Sequence, residues 1–218
     1  HAVVDPRLVT YRHVVGGMWY PGTATKSCAA SYRWYRDTFG GDFGEMSHAA
    51  AGIERGCSGL MYHPYLQGEI TPYLNDKLRA SFTGVAGYHT KPHFSRAVLE
   101  GVAYSMKDCY STLEELGIAP AEAIAIGGGA KNGLWRQILA DMMNIPLTTV
   151  QDVDSSLGSA MLAGVAIGAF ADHRAAVKQC VKPIGVTVPD AEGVAFYDRE
   201  FKRYLRVQRA LAPIYQDV

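Results

Sequence analysis

Three consecutive glycines follow a short apolar run near the middle of the chain. The run is residues 123–126 (AIAI), the glycines are residues 127–129, and Lys131 and Asn132 come soon after them. Glycine lets the backbone adopt positive φ and leaves main-chain N–H groups open to an anion. A helical pattern begins near Asn132, so the positive end of that helix faces the same place. The stretch predicts either a site for a nucleotide phosphate or a tight turn that binds nothing.

Two known phosphate motifs fit this stretch only in part. The dinucleotide fingerprint Gly-x-Gly-x-x-Gly has its first two glycines at Gly127 and Gly129, and Asp152 follows the next apolar run at a suitable distance. Its third place is Asn132, where close packing of a helix on a strand needs glycine or alanine. The Gly-Lys-Ser/Thr of a Walker loop does not follow. A Rossmann-type, nicotinamide-dependent oxidoreductase therefore stays as an alternative interpretation.

Other chemically capable side chains have simpler structural interpretations. Glu100 lies four residues after Arg96 in a helical pattern, which predicts an ion pair that packs the helix. We expect Asp141 to be a solvated charge on a helix face, and Trp135 to belong to the core. The remaining candidates are expected at helix starts: His93, Ser155 and Ser156. None of these residues predicts a catalytic base or a metal site.

Alternating helical and strand patterns predict an α/β fold. The longest helix is expected from Pro92 to Gly117, because proline suits a first helical turn and glycine ends helices. Residues 123–126, a helix from Asn132, and residues 147–150 predict a crossover between parallel strands. Small residues recurring through residues 157–170 predict a buried helix against a sheet. Further expected elements are a hairpin in residues 8–20, a helix in residues 26–40 and a last helix in residues 194–211.

The composition is that of an ordinary globular protein. The 218 residues are 48% hydrophobic and 19% charged, enough for one large domain or two small ones. Lysine plus arginine equals aspartate plus glutamate at 21 each, which argues against nucleic acid or a membrane surface as a partner. The four cysteines are far apart and the first residues do not form a signal peptide, so we expect a reduced, cytoplasmic protein.

Four longer segments follow one another along the chain and carry a family resemblance. They are GLMYHPYLQGEITPY, ASFTGVAGYHTKPHFSRAVLEGVAYSMKD, IAIGGGAKNGLWRQILADMM and SSLGSAMLAGVAIGAF. Together they closely resemble the C-terminal half of the FGGY carbohydrate kinases, particularly the xylulose-kinase-like and other pentulose kinases. The resemblance covers the chain from about residue 16 to the last helix. It implies an actin-like, ribonuclease-H-type α/β domain, a mixed sheet flanked by helices, that forms the ATP-binding lobe of a sugar kinase.

The resemblance also implies where ATP would bind. Its main contacts are expected from six consecutive residues: Gly127, Gly128, Gly129, Ala130, Lys131 and Asn132. Weaker contacts are expected from Ala29 and Arg33, where relatives such as glycerol kinases tend to have glycine and glutamine. Mg²⁺ is expected to be held mainly by the nucleotide and by another domain. No catalytic residue and no metal ligand is expected in this chain.

Two departures from the family pattern bear on the substrate and on activity. Ile70 in the segment GEITP stands where pentulose kinases usually have the arginine of Gly-Glu-Arg-x-Pro. Family members are about twice this length, and their amino-terminal lobe carries the sugar site and the aspartate that acts as base. A Gly-Thr-Ser strand is expected just before His1.

Residues 1–218 are therefore expected to be a single C-terminal domain that is inactive alone. Its expected partners are ATP, a small-molecule sugar such as xylulose and its own amino-terminal domain. A homodimer is left open. An inactive module with an actin-like fold remains a further alternative.

Overall fold

The computed structural model describes residues 2–151 and 153–217, so Asp152 lies outside the described residues. Within this part the chain forms seven α-helices and seven short β-strands. The helices are α1 (Cys28–Phe39), α2 (Phe43–Ala51), α3 (Lys91–Glu115), α4 (Gly133–Met143), α5 (Ser155–Ala166), α6 (His173–Cys180) and α7 (Ala191–Leu211). The strands are β1 (Val9–Arg12), β2 (Trp19–Gly22), β3 (Met61–His63), β4 (Ser81–Thr83), β5 (Ala123–Ala125), β6 (Leu147–Val150) and β7 (Pro183–Thr187).

The described strands form three small sheets. β1 and β2 pair as the predicted antiparallel hairpin, and β3 pairs antiparallel with β4. β5 and β6 are parallel and are joined through α4, which confirms the predicted crossover. β7 then adds to β6 in the antiparallel sense. The domain is therefore α/β with a mixed sheet, as predicted, and its described strands do not form the mostly parallel, doubly wound sheet of a Rossmann domain.

α3 is the central helix of the main core, and its sequence explains both its start and its burial. Thr90 caps the helix and forms a capping box with His93, which confirms that this histidine marks a helix start. Pro92 occupies the first turn, as predicted. Gly101 permits close packing on β3, because a Cβ atom there would lie 2.3 Å from the carbonyl oxygen of Tyr62. α3 packs against α1, α2, α4 and β3, so it fixes the elements that surround the candidate site.

The predicted pair between Arg96 and Glu100 is confirmed and is buried inside this core. Arg96 Nε donates to Glu100 Oε1 at 2.8 Å, and both side chains are almost fully buried. The Glu100 carboxylate also accepts hydrogen bonds from the Tyr197 hydroxyl at 3.0 Å and from the Gly56 N–H at 3.1 Å. Burial raises the pKa of Glu100, while Arg96 and the N–H and O–H donors oppose that rise. Because hydrogen bonds within the core already use its carboxylate oxygens, Glu100 has a structural role.

The prediction of a buried helix in residues 157–170 is wrong. Only Gly164 is buried among the residues of α5, and the helix packs chiefly against α6. Gly164 faces Phe170 in the following turn, where a Cβ atom would lie 2.5 Å from the ring. The small residue is thus needed for a local turn, and the described residues leave most of the helix surface exposed.

Asp108 on α3 gives the core a pH dependence that can be measured. Burial raises the pKa of Asp108 to about 6, and the Tyr73 hydroxyl donates a hydrogen bond to its carboxylate. Between about pH 4 and pH 6 the native protein therefore holds a proton that the unfolded chain releases, and this group's contribution to stability falls as the pH rises. We expect Asp108→Asn to gain unfolding free energy relative to the parent as the pH rises from 4 to 7, by about 2 to 3 kcal/mol.

Denaturant unfolding of the parent and the variant at several pH values measures this difference. The matched control is Asp198→Asn, which replaces an exposed carboxylate on α7. For this variant the difference in unfolding free energy from the parent should stay the same across the pH range. A difference between Asp108→Asn and the parent that is the same at pH 4 and pH 7 would contradict the assignment.

Candidate functional site

The three glycines form a turn that ends at the start of α4. We call residues 127–132 the glycine loop. Gly127 has φ +84°, and residues 128–131 form one turn of 3₁₀ helix. Asn132 is the N-cap of α4, and its Oδ1 accepts a hydrogen bond from the Trp135 N–H at 3.2 Å. The predicted helix start is confirmed, and the positive end of α4 points toward the loop.

The three glycines of the loop are needed for different structural reasons, or not needed for packing at all. Gly127 supplies the positive φ. A Cβ atom at Gly129 would lie 2.5 Å from the indole ring of Trp135, so this glycine allows the loop to pack on α4. A Cβ atom at Gly128 would meet nothing within 4 Å. Gly128 therefore is not required by packing, and its bare backbone faces open space.

Two cavities meet at the glycine loop. The first, which we call the aromatic cavity, has a volume of about 510 Å³ and lies between the loop, α1 and α2. Its lining residues are Ala29, Tyr32, Arg33, Phe43, Gly44, Ser47, Gly128, Gly129, Lys131, Asn132, Gly133 and Trp135. The second, the strand-end cavity, has a volume of about 740 Å³ and lies where β5 and β6 end. Gly128 and Lys131 line both cavities.

Every residue predicted from the sequence to contact a nucleotide lines one of these two cavities. The aromatic cavity brings Ala29 and Arg33 of α1 together with the glycine loop. Gly127 and Ala130 line the strand-end cavity. These positions are consistent with the predicted contacts, which stay predictions.

A chain of hydrogen bonds fixes the wall of the aromatic cavity. Asn132 Nδ2 donates to Ser47 Oγ at 2.8 Å. The Tyr32 hydroxyl lies 3.4 Å from Ser47 Oγ and 2.9 Å from Ser95 Oγ, and Ser95 Oγ donates to the carbonyl of Met46 at 3.4 Å. An amide NH₂ only donates and a carbonyl only accepts, so the chain runs in one direction. The chain connects the start of α4 to α2, α1 and α3. The hydroxyl and amide groups of the cavity wall are therefore already engaged in hydrogen bonds with one another.

Arg136 holds the other side of the glycine loop, and sequence reasoning missed it. Its Nη1 donates to the carbonyl of Ala130 at 2.5 Å, and its Nε donates to Thr187 Oγ1 at 3.4 Å. The side chain therefore ties the loop to β7 and lines the strand-end cavity. The sequence shows a basic residue four positions after the N-cap, which could have indicated a contact with the loop. Its partner Thr187 on β7 is remote in sequence, so the second contact could not be predicted.

The N-terminus of α5, which follows β6, is not available to bind an anion. Asp154 is the N-cap of α5 and accepts hydrogen bonds from the N–H groups of Ser156 and Leu157. The hydroxyl of Ser156 donates to the same carboxylate and lowers the pKa of Asp154. Because this helix start already carries its own negative charge, an anion in the strand-end cavity is expected against the glycine loop and α4.

Trp135 and Asp141 of α4 are both buried. Trp135 belongs to the core, as predicted, and its Nε1 donates to the carbonyl of Leu99 at 3.1 Å. The prediction for Asp141 is wrong, because its side chain is buried. It accepts hydrogen bonds from the Asp190 N–H at 2.8 Å and from Gln137 Nε2 at 2.7 Å. The start of α7 covers this carboxylate, a contact that the pattern of α4 alone could not reveal.

The comparison with protein families decides the affiliation. Residues 6–167 match the FGGY family of carbohydrate kinases, C-terminal domain. The chain belongs to the FGGY family of carbohydrate kinases. Its mixed α/β fold is accordingly the actin-like ATPase fold, as predicted, and the Rossmann alternative is wrong.

Individual FGGY kinases match almost the whole chain. A xylulose kinase of Staphylococcus epidermidis is 31% identical over 98% of this chain, and one of Lactococcus lactis is 33% identical over 96%. The crystal structure of ligand-bound xylulose kinase from Lactobacillus acidophilus has a TM-score of 0.89 at 28% identity and covers 99% of this chain. In each case the match covers 44% of the relative's own length. The chain thus spans less than half the length of these FGGY relatives.

Two kinds of feature are absent from the described residues. Among the described helices, none combines the length and the apolar character that a bilayer-spanning segment needs. Among residues 2–151 and 153–217, no group of three or more histidine, cysteine, aspartate or glutamate side chains could hold a metal ion.

Proposed function

We propose that this chain is the ATP-binding lobe of an enzyme that transfers the γ-phosphate of ATP to a hydroxyl of a ketopentose. The observation that carries the proposal is the glycine loop, which has an open backbone at Gly128 and stands between two cavities at a helix start. Membership of a family of carbohydrate kinases supports ATP as the nucleotide.

The two cavities suit the two ends of a nucleotide. The aromatic cavity offers the rings of Tyr32 and Phe43 as an apolar surface for the base. The bare backbone of Gly128 and the N-terminus of α4 suit phosphate groups, and Lys131 adds a positive charge at the junction. Phosphoryl transfer requires mainly such positioning and charge stabilisation, together with a base for the attacking hydroxyl. We propose that Mg²⁺ arrives with the phosphates and is held mainly outside this chain.

A further part of the protein is proposed to cover the exposed face of the mixed sheet. The register places Ile124 and Val186 in one row on that face. Ile126, the first residue after β5, and Ile184 on β7 lie two residues away from them along the chain. All four side chains are between 60% and 67% exposed. Apolar residues gathered on one sheet face usually pack against another element. We propose that the preceding part of a longer protein covers this face and supplies the sugar site and the base.

The substrate class rests on the relatives and on one motif. Several of the most similar relatives are named xylulose kinases, but an erythritol kinase and a gluconokinase also match. In the segment GEITP, Glu69 is buried and accepts hydrogen bonds from the Lys26 N–H at 2.9 Å and from Ser105 Oγ at 3.0 Å. Glu69 is therefore a structural anchor, and the replacement at Ile70 does not remove it.

The substrate is tested with the full-length protein that contains this chain. We expect D-xylulose or another ketopentose to be phosphorylated with a kcat/KM at least about tenfold above that for gluconate, erythritol or glycerol, because a site built for one set of hydroxyls rejects others. Coupled ADP release across this panel is the measurement. A best rate with gluconate or glycerol would overturn the substrate while leaving the kinase assignment intact.

A further inference from the structure

The polar side chains that line the aromatic cavity are not equally available to a ligand. The groups of Tyr32, Ser47 and Asn132 belong to the hydrogen-bond chain, and Trp135 Nε1 is bound to a backbone carbonyl. The other two polar side chains of the lining are those of Arg33 and Lys131. Neither makes a side-chain hydrogen bond or an ion pair with another described residue. The side-chain groups left for a ligand are therefore cations that only donate hydrogen bonds.

Arg33 and Lys131 lie on different sides of the cavity. Arg33 projects from α1, the helix that also supplies Tyr32 to the aromatic wall. Lys131 belongs to the glycine loop, beside the open backbone of Gly128. If the phosphates lie at the loop and the base lies against the aromatic wall, as proposed above, the base edge would lie on the Arg33 side of the cavity and the phosphates beside Lys131.

The guanidinium of arginine suits one kind of purine edge. Its parallel N–H groups match two neighbouring acceptors, and a 6-oxopurine such as hypoxanthine or guanine presents O6 and N7 side by side. Adenine presents N7 beside an amino group that donates, and this pair is matched by the carboxamide of glutamine or asparagine.

We propose that Arg33 is a base-specificity residue that lets this site bind 6-oxopurine nucleotides at least as well as adenine nucleotides. The proposal rests on the proposed function, because it assumes that the aromatic cavity holds the base of a nucleotide. Inosine is the best-matched base. Guanine carries an additional amino donor, and no aspartate or glutamate lies among the lining residues to accept from it.

Nucleotide titrations of the 218-residue chain test this proposal, with ADP, IDP and GDP as probes and calorimetry as the readout. We expect the parent to bind IDP at least as tightly as ADP. Arg33→Gln should shift the ratio of the two dissociation constants roughly fivefold or more toward ADP. Arg33→Lys keeps the positive charge but loses the pair of parallel N–H donors, so this variant should also favour ADP relative to the parent. Lys131→Gln is the matched control and should weaken all three nucleotides by a similar factor.

The outcomes separate this proposal from the proposed function. If the parent binds ADP more than about fivefold tighter than IDP, or if Arg33→Gln leaves the ratio unchanged, base selection by Arg33 is wrong and the nucleotide site stands. If Arg33→Gln weakens all nucleotides equally, Arg33 contributes charge alone and the proposal is overturned. If no nucleotide binds to the parent, the nucleotide site itself is wrong, and this proposal falls with it.

Discussion

The 218-residue chain on its own is expected to phosphorylate no sugar, and joining it to the amino-terminal lobe proposed above is expected to restore the activity. The expected difference in rate is at least about a thousandfold, because orienting the two reacting groups supplies most of the catalysis in phosphoryl transfer. The measurement is ADP release with D-xylulose, L-xylulose, ribulose and glycerol, first with the chain and then with the joined protein. Slow ATP hydrolysis without sugar transfer is compatible with a single lobe.

The physical reason lies in the carboxylates of the chain. A general base must reach the attacking hydroxyl within hydrogen-bond distance. Glu100 is engaged by Arg96 inside the core, Asp141 is buried under the start of α7, and Asp154 caps α5. Each of these carboxylates already has a structural partner. A thermal melt of the separate chain is the control that it is folded. Robust sugar phosphorylation by the folded chain alone would show that a base within these residues had been overlooked.

Gly128→Val is expected to abolish nucleotide binding and to leave the fold intact. Gly128 lines both cavities, so the added isopropyl group of valine would occupy the space proposed for phosphate. The surroundings of its Cβ position are open, and the positive φ of the loop belongs to Gly127, so we expect the fold to accept the substitution without backbone strain. We expect the affinity for ADP to fall more than about tenfold, the loss that follows when charge-assisted hydrogen bonds to an anion are removed.

Two comparisons make this result specific. Gly87→Val places the same side chain at another glycine with open surroundings, outside both cavities, and should leave ADP binding unchanged. Lys131→Ala should weaken binding less than Gly128→Val, because an exposed, flexible cation contributes modestly. Calorimetric titration measures affinity, and a thermal melt checks the fold. Equal affinity of Gly128→Val and the parent would mean that the loop is only a turn.

The parts of the fold that the sequence predicted well are those with strong local signals. α3 has a proline in its first turn and a long apolar stripe, and α4 has an N-cap residue and a stripe directly after the glycines. α2, α6 and β7 were not predicted. α2 and α6 have only nine and eight residues, so their local signals are weak. The partners of α2 and β7, which are α3 and β6, are remote in sequence.

The sequence alone predicted the glycine loop, whose proposed role depends on its backbone, better than it predicted the polar side chains around the loop. The run of glycines located the loop, but it did not indicate that Gly127 carries the positive φ while Gly128 faces open space. Ser47 was missed because its role depends on a hydrogen bond to Asn132, 85 positions further along the chain. Asp141 was misjudged for the same reason, since α7 arrives from 49 residues away. Long-range contacts decided which polar groups are structural and which remain for a ligand.

The measurement that tests the nucleotide site most directly is an NMR titration of the ¹⁵N-labelled 218-residue chain with ADP and, separately, with NAD. We expect saturable shifts with ADP that are centred on the amides of residues 127–132 and extend to Ala29 and Arg33, with weak affinity because this chain is proposed to form only one lobe of the nucleotide cleft. Tight binding of NAD with no response to ADP, or ADP shifts confined to residues outside both cavities, would contradict it.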